Sequence, residues 1–273
     1  MTPANAKAQA TIPFPKLPVE LRTVIYLEAI LPEDLTSQSQ PLNLGAADAR
    51  RGGDPLYLQW LEQLCRVNEA TRIDVSSVLL QKAKLCLLYP KEAKRFTLFL
   101  ESFPQADSQG FAAARNLDFQ LFGRHRPSAG IANTYIELMS RCTELRQVQL
   151  KFEAEHMITG SCKWIENLKW PPTTLWAFDQ TRIRQLEDVI AIYRLADLLE
   201  LKKLHRLTIE AWPRIRMSDR HTTEDILVDC TPLMVSLAQW LREGFAAKGR
   251  EVTVSYKEAS SPGLRWSRRI QGV

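Results

Sequence analysis

The residues whose types suit chemistry are few and scattered. The tightest set is Glu153-Ala154-Glu155-His156. Two carboxylates beside an imidazole are the parts of a general acid–base pair or of a metal site. A charged run of this kind is more often a solvated loop, and that is the reading the sequence favours. His221 with Glu224 and Asp225 offers a second set. There Thr222-Thr223-Glu224-Asp225 reads as a helix N-cap with acids in the first turn, so the cap is preferred to a metal site. His125 and His205 stand apart from carboxylates in sequence, and His205 opens a predicted strand beside Arg206, a structural or surface position. The chain has no GxSxG elbow, P-loop, HExxH or strand-linked GxGxxG. Cys65, Cys86, Cys142, Cys162 and Cys230 are an odd, dispersed set, read as reduced and mostly buried thiols. Trp164, Trp170 and Trp176 are evenly spaced around Pro171-Pro172. They would form either an aromatic cleft for a proline-rich or sugar ligand or, preferably, the edge of a core. No catalytic residue, cofactor site or metal site is expected.

Composition narrows the classes further. The 273 residues are 45% hydrophobic and 25% charged, with a net charge of +5. That is ordinary for a globular chain with a sizeable core. No apolar run reaches the roughly 18 residues that span a bilayer, so no membrane partner is expected. Met1 to Thr11 lacks an apolar signal region, and the expected location is cytoplasmic or nuclear. Two basic clusters, Gly123-Arg124-His125-Arg126 and Arg265-Trp266-Ser267-Arg268-Arg269, suit an acidic partner. Neither carries the row of aromatic platforms of a single-strand binder, so nucleic acid is not an expected partner.

The elements that would position these residues follow from periodicity. Residues 1–13 read as a flexible arm. Pro15 and Pro18 set an extended entry, and Pro18 and Glu20 suit a first helical turn. Leu21, Val24, Ile25, Leu27 and Leu31 then recur at helical spacing. Residues 32–55 are polar and rich in breakers, a surface loop. A helical stretch with a break near Asn68 follows to about residue 82. From there helix and strand alternate. Strands are expected at 85–89, 114–122, 145–152, 204–211 and 251–256, and helices at 93–103, 131–142, 182–202 and 232–247. A strand reached through a helix is most simply parallel to the one before it, with a right-handed crossover. The expected class is α/β, with either a curved, mostly parallel sheet of degenerate leucine-rich-repeat-like units or a compact α/β domain without true repeats.

Phe14 and Leu17-Pro18-x-Glu20-Leu21-Arg22-x-x-Ile25-Tyr26, followed by Leu64-Cys65-Arg66-Val67-Asn68 and Arg72, resemble the F-box-like domain found in many fungal proteins. Phe96-Thr-Leu-Phe99-Leu100, Phe103-Pro104 and Arg115-Asn-Leu117-Asp-Phe119 echo the body of those proteins. The resemblance implies an F-box-like helical module over 14–82 and a helix–strand interaction region over 83–258, before a basic tail at 259–273. It also implies that Leu17, Pro18, Leu21, Ile25, Leu64 and Val67 contact a Skp-type adaptor of a cullin–RING ubiquitin ligase. The same side chains would instead be internal core if the helices pack on the chain's own body.

The expectation is therefore a non-enzymatic protein-interaction module that binds a protein target through outward strand residues such as Asp118, Gln120, Gln149, Lys151, Thr208 and Glu210. The alternative is a hydrolase or transferase with dispersed active-site residues.

Overall fold

Apolar residues at period two alternate along this chain with apolar residues at helical spacing, and each pattern takes the element it suits. A computed structural model describes residues 16–30, 42–43, 69–103, 109–125, 127, 132–159, 182–218 and 225–259. It opens with helix α1 (Val19–Ile30), the two-residue strand β1 (Leu42–Asn43) and helix α2 (Glu69–Lys82). Strand β2 (Leu85–Leu87), helices α3 (Pro90–Glu101) and α4 (Gln109–Ala113) and strand β3 (Asn116–Phe119) follow. Then come helix α5 (Thr134–Arg141), strand β4 (Gln147–Glu153), a small pair β5 (Ile158–Thr159) and β6 (Arg182–Ile183), and helix α6 (Leu186–Tyr193). Strand β7 (Arg206–Trp212), the hairpin β8 (Arg214–Ser218) and β9 (Asp225–Asp229), helix α7 (Thr231–Ala247) and strand β10 (Thr253–Glu258) complete the order.

The main sheet runs β1-β2-β3-β4-β7-β10, and every neighbouring pair is parallel. Each new strand is added on the same side of the last. Right-handed crossovers then place the connecting helices on one face. The register aligns Leu85, Leu117, Val148, Leu207 and Val254 in one row, and Leu87, Phe119, Leu150, Ile209 and Tyr256 in another. All but the half-buried Tyr256 are buried under the helices. An aromatic group of Phe119, Phe122, Tyr135, Phe152 and Tyr193 occupies the centre, with ring centroids 5.0–6.4 Å apart where they meet. Its hydroxyls are satisfied by backbone. Tyr135 donates to the Leu88 carbonyl at 3.0 Å and Tyr193 to the Gly123 carbonyl at 2.5 Å.

Local chemistry fixes the helix ends. Pro90 starts α3, and the Glu92 carboxylate accepts from the Leu88 and Tyr89 amides at 2.7 and 3.2 Å. Asn133 caps α5 by accepting from the Tyr135 amide, and its side-chain amide donates to the Tyr193 carbonyl at the end of α6. Gly110 in α4 lies so close to α3 that a Cβ there would sit 2.2 Å from the Leu100 carbonyl oxygen.

The structure corrects several expectations. The single helix over 182–202 is divided. Arg194 has φ 56°, in the left-handed region, and separates α6 from a 3-10 turn at Leu195–Glu200. Tyr193 and Leu195 are both fully buried. On one continuous α-helix they would point about 200° apart, so both reach the core only if the backbone turns between them. The N-cap expected before Asp225 is overturned, because Asp225 begins strand β9. Helix α4 and the β8–β9 hairpin were not expected. The arm at 1–13, most of the loop at 32–55, the tail beyond 259, Leu64, Val67, His221 and the tryptophans at 164, 170 and 176 lie outside the described residues.

Candidate interaction faces

The face of the sheet opposite the helices is polar, because alternation sends every second strand residue there. The register sets Cys86, Asp118, Gln149, Thr208 and Ser255 side by side, and Gln120 is followed by the row Lys151, Glu210 and Lys257. These side chains join across the strands. The Lys84 ammonium lies 2.8 Å from the Asp118 carboxylate and donates at 2.8 Å to the Gln149 side chain. Gln149 in turn donates to Glu210. Lys151 is 2.9 Å from Glu210, donates to Gln120 at 3.1 Å and lies 4.6 Å from the centre of the Trp212 ring. Ser255 donates to Thr208 at 3.2 Å.

The residues expected to point outward thus share one face, with a correction. Asp118 is only 1% exposed and Thr208 only 8%. Burial pushes the Asp118 carboxyl above its ordinary range, and Lys84 pulls it back. Burial likewise pushes the Cys86 thiol up to about 12, which keeps it protonated and unreactive.

At the C-terminal end of β4 the charged run is no open loop. Glu155 and His156 sit in a 3-10 turn, half-buried, and Glu153 packs against them. His156 Nε2 lies 3.0 Å from Glu155 and 3.4 Å from Glu153. Arg124, brought over from the end of β3, reaches Glu153 at 3.2 Å and Glu155 at 3.9 Å. Contact with His156 is the main cause that holds the Glu155 carboxyl down to about 2. Burial opposes a charged His156, but the two facing carboxylates outweigh it and hold the imidazole above its usual value. Glu153, Glu155 and His156 present ligand atoms within 4.8 Å of one another, a spacing a metal ion accepts. The Arg124 guanidinium already supplies the positive charge there, which disfavours a cation. His125 beside it is pushed below its usual value by burial and by Arg124, and packs edge-on to Tyr89 with centroids 6.0 Å apart. Sequence order could not reveal the Arg124 contact, which depends on β3 pairing with β4.

The proline-set helix is only partly tucked in. On α1, Tyr26 is buried and Arg22 pairs with Asp74 of α2. Leu21 and Ile25 are 52% and 43% exposed, Pro18 is exposed and Leu17 is half-buried. Val19 and Val24 are also exposed. So Leu21 and Ile25 are not core side chains.

A groove of about 770 Å³ runs on the helix side between α3 and α5, lined by Lys94, Leu98, Glu101, Glu137 and Arg141. Its lining includes none of the polar-face residues, the Glu153–His156 charge network or the α1 residues. Among the described residues no helix is long and apolar enough to cross a membrane. Compared with known proteins, the chain matches no family model, no curated protein and no solved structure.

Proposed function

We propose that the chain is a non-enzymatic protein-interaction module, cytoplasmic or nuclear, whose helix-free sheet face receives a protein target. The observation that carries this reading is the polar face itself. Strands added in chain order place the outward residues of five strands in common rows, and cross-strand bonds hold those side chains in fixed positions. Such preorganised side chains lose little conformational entropy on binding. The same strand order supports reading the sheet as a curved, leucine-rich-repeat-like surface. Photo-crosslinking tests the proposal. A photoreactive amino acid at exposed Gln147 or Lys257, on the polar face, should give a discrete adduct with a partner in a fungal host. The same group at exposed Glu137 or Gln239, on the helix side, should not. No adduct, or equal adducts from both sides, overturns the reading.

The exposed apolar residues of α1 favour a second role for the same module. On the F-box-like resemblance, Pro18, Leu21 and Ile25 dock a Skp-type adaptor, which makes the chain a substrate-recognition subunit of a ubiquitin ligase. The competing reading, a hydrolase or transferase, draws its support from the Glu153–Glu155–His156 set. The Arg124 ion pairs make that set a closed charge network rather than a base open to substrate.

A further inference from the structure

The main sheet ends in two unlike edges. Strand β1 is two residues long, whereas β10 runs for six and pairs with β7 on one side only. Backbone groups along a strand point alternately to either side. The Thr253 amide donates to the His205 carbonyl and the Ala259 amide to the Ala211 carbonyl, so the odd-numbered residues bond to β7. Val254, Tyr256 and Glu258 therefore aim their backbone groups away from the sheet. Arg242 of α7 donates to the Val254 carbonyl at 3.1 Å. Among the described residues, the amides of Val254, Tyr256 and Glu258 and the Tyr256 carbonyl have no hydrogen bond. Helix α7 flanks this edge. Val235 precedes Arg242 by seven residues, so it lies within about 20° of it around the helix and about 10 Å along the axis. Val235 is 47% exposed, on the side of α7 that Arg242 turns to the edge. Open edges are commonly blunted by bulges, prolines or shortness. Strand β10 has none of these, and its register with β7 is unbroken over Thr253–Glu258.

We propose that β10 accepts an extended segment of a partner protein as an added strand, one that alternates apolar with acidic residues. This goes beyond the polar-face reading and does not rest on it. Backbone groups that recur every two residues are satisfied in step by another extended strand. On the helix side the added residues meet Val254, the half-buried Tyr256 and Val235, which suits apolar side chains. On the polar side they meet Ser255 and exposed Lys257. Glu258 is already matched by Arg214 at 3.2 Å. Lys257 and Arg242 have no carboxylate partner among the described residues. The charge left over at this edge is positive and calls for carboxylates. A second copy fits less well, because two-fold pairing of β10 with itself brings the same Lys257 and Arg242 to both sides of the joint. Lysine on an edge thus disfavours self-pairing while it favours an acidic strand.

Fluorescence anisotropy with the full chain tests this, using a fluorescein-labelled eight-residue peptide of alternating valine and glutamate. Binding should saturate. Only one set of the peptide's amides can face the edge, so N-methylation of the valines and N-methylation of the glutamates should differ in effect at least tenfold. Tyr256→Pro removes an outward amide that makes no bond within the sheet, and should weaken binding at least tenfold more than Tyr256→Ala. Val235→Asp, at an exposed site, should weaken it at least fivefold and repeats the test should proline shift the melting temperature. Lys257→Glu should turn the preference toward a valine–lysine peptide. Absence of saturable binding, equal effects of the two N-methylation patterns, or unchanged binding by Val235→Asp overturns the proposal. So does a dimer in sedimentation that Tyr256→Pro dissolves, which would give the edge to a second copy. Gln147 of β4 lies three strand spacings, about 14 Å, from an added strand. Crosslinks from Gln147 without peptide binding would therefore sink the edge proposal alone, and peptide binding without them the polar-face reading alone.

Discussion

At the scale of single residues, the Glu155–His156 contact sets a testable pH dependence. The Glu155 pKa is lowered to about 2 in the folded chain, so its contribution is complete above the ordinary value of 4.5 and fades as pH falls below it. His156 is raised above 6.5, so its contribution is complete below that value and is lost as pH rises through the folded pKa. The charged groups facing the pair are Arg124, His125 and Glu153. His156→Gln should therefore cost most between about pH 4.5 and 6.5. With Glu155 more than a third exposed, solvent screening limits the cost to about 1 kcal/mol. Urea denaturation across pH 3–9 reads the difference, and a gap that stays flat with pH would refute the assignment. Asp118 shows the opposite case, a carboxylate that burial disfavours and that Lys84 holds in place.

At the scale of elements, α1 carries two kinds of residue on one helix. Leu21 and Ile25 are about half exposed, so Leu21→Asp with Ile25→Asp should leave the melting temperature within about 2 °C, as surface changes do. On the adaptor-docking proposal, the same pair should abolish co-purification with a Skp-type subunit. Tyr26→Ala, by contrast, empties a buried site and should cost about 3 kcal/mol. Retained co-purification would eliminate the adaptor role. A melting shift from the double aspartate variant as large as that from Tyr26→Ala would make the apolar face structural after all. Arg194 teaches the same lesson from within the fold. A left-handed residue costs roughly 1–2 kcal/mol, and it is tolerated because it lets both Tyr193 and Leu195 be buried.

At the scale of the whole molecule, the apolar cluster is continuous from Tyr26 and Val75 through the aromatic centre to Leu237 and Val254. A continuous core predicts one unfolding transition. Leu237→Ala, at a fully buried site in α7, should cost about 2–5 kcal/mol. Far-ultraviolet and near-ultraviolet circular dichroism should still report one midpoint, although the residues of the aromatic centre lie outside α7. Separate midpoints would mean that the helix–strand units melt independently, as in a loosely coupled repeat array.

Much of this was legible beforehand, because periodicity is local. Alternation in Gln147–Phe152 marked both a strand and its two faces, and Tyr135, Leu138 and Met139, with Cys142 at the C-cap, marked the buried side of α5. The polar face could be drawn up as Asp118, Gln149 and Thr208 for the same reason. Which strands neighbour one another was not readable to the same degree. That is a matter of contacts far apart in sequence, each favoured only by the burial they achieve together. Strand order brought Arg124 to Glu153 and closed neighbours over Asp118 until almost no surface remained. Side-chain pattern thus decided which way each residue points, and assembly of the sheet decided what it meets there.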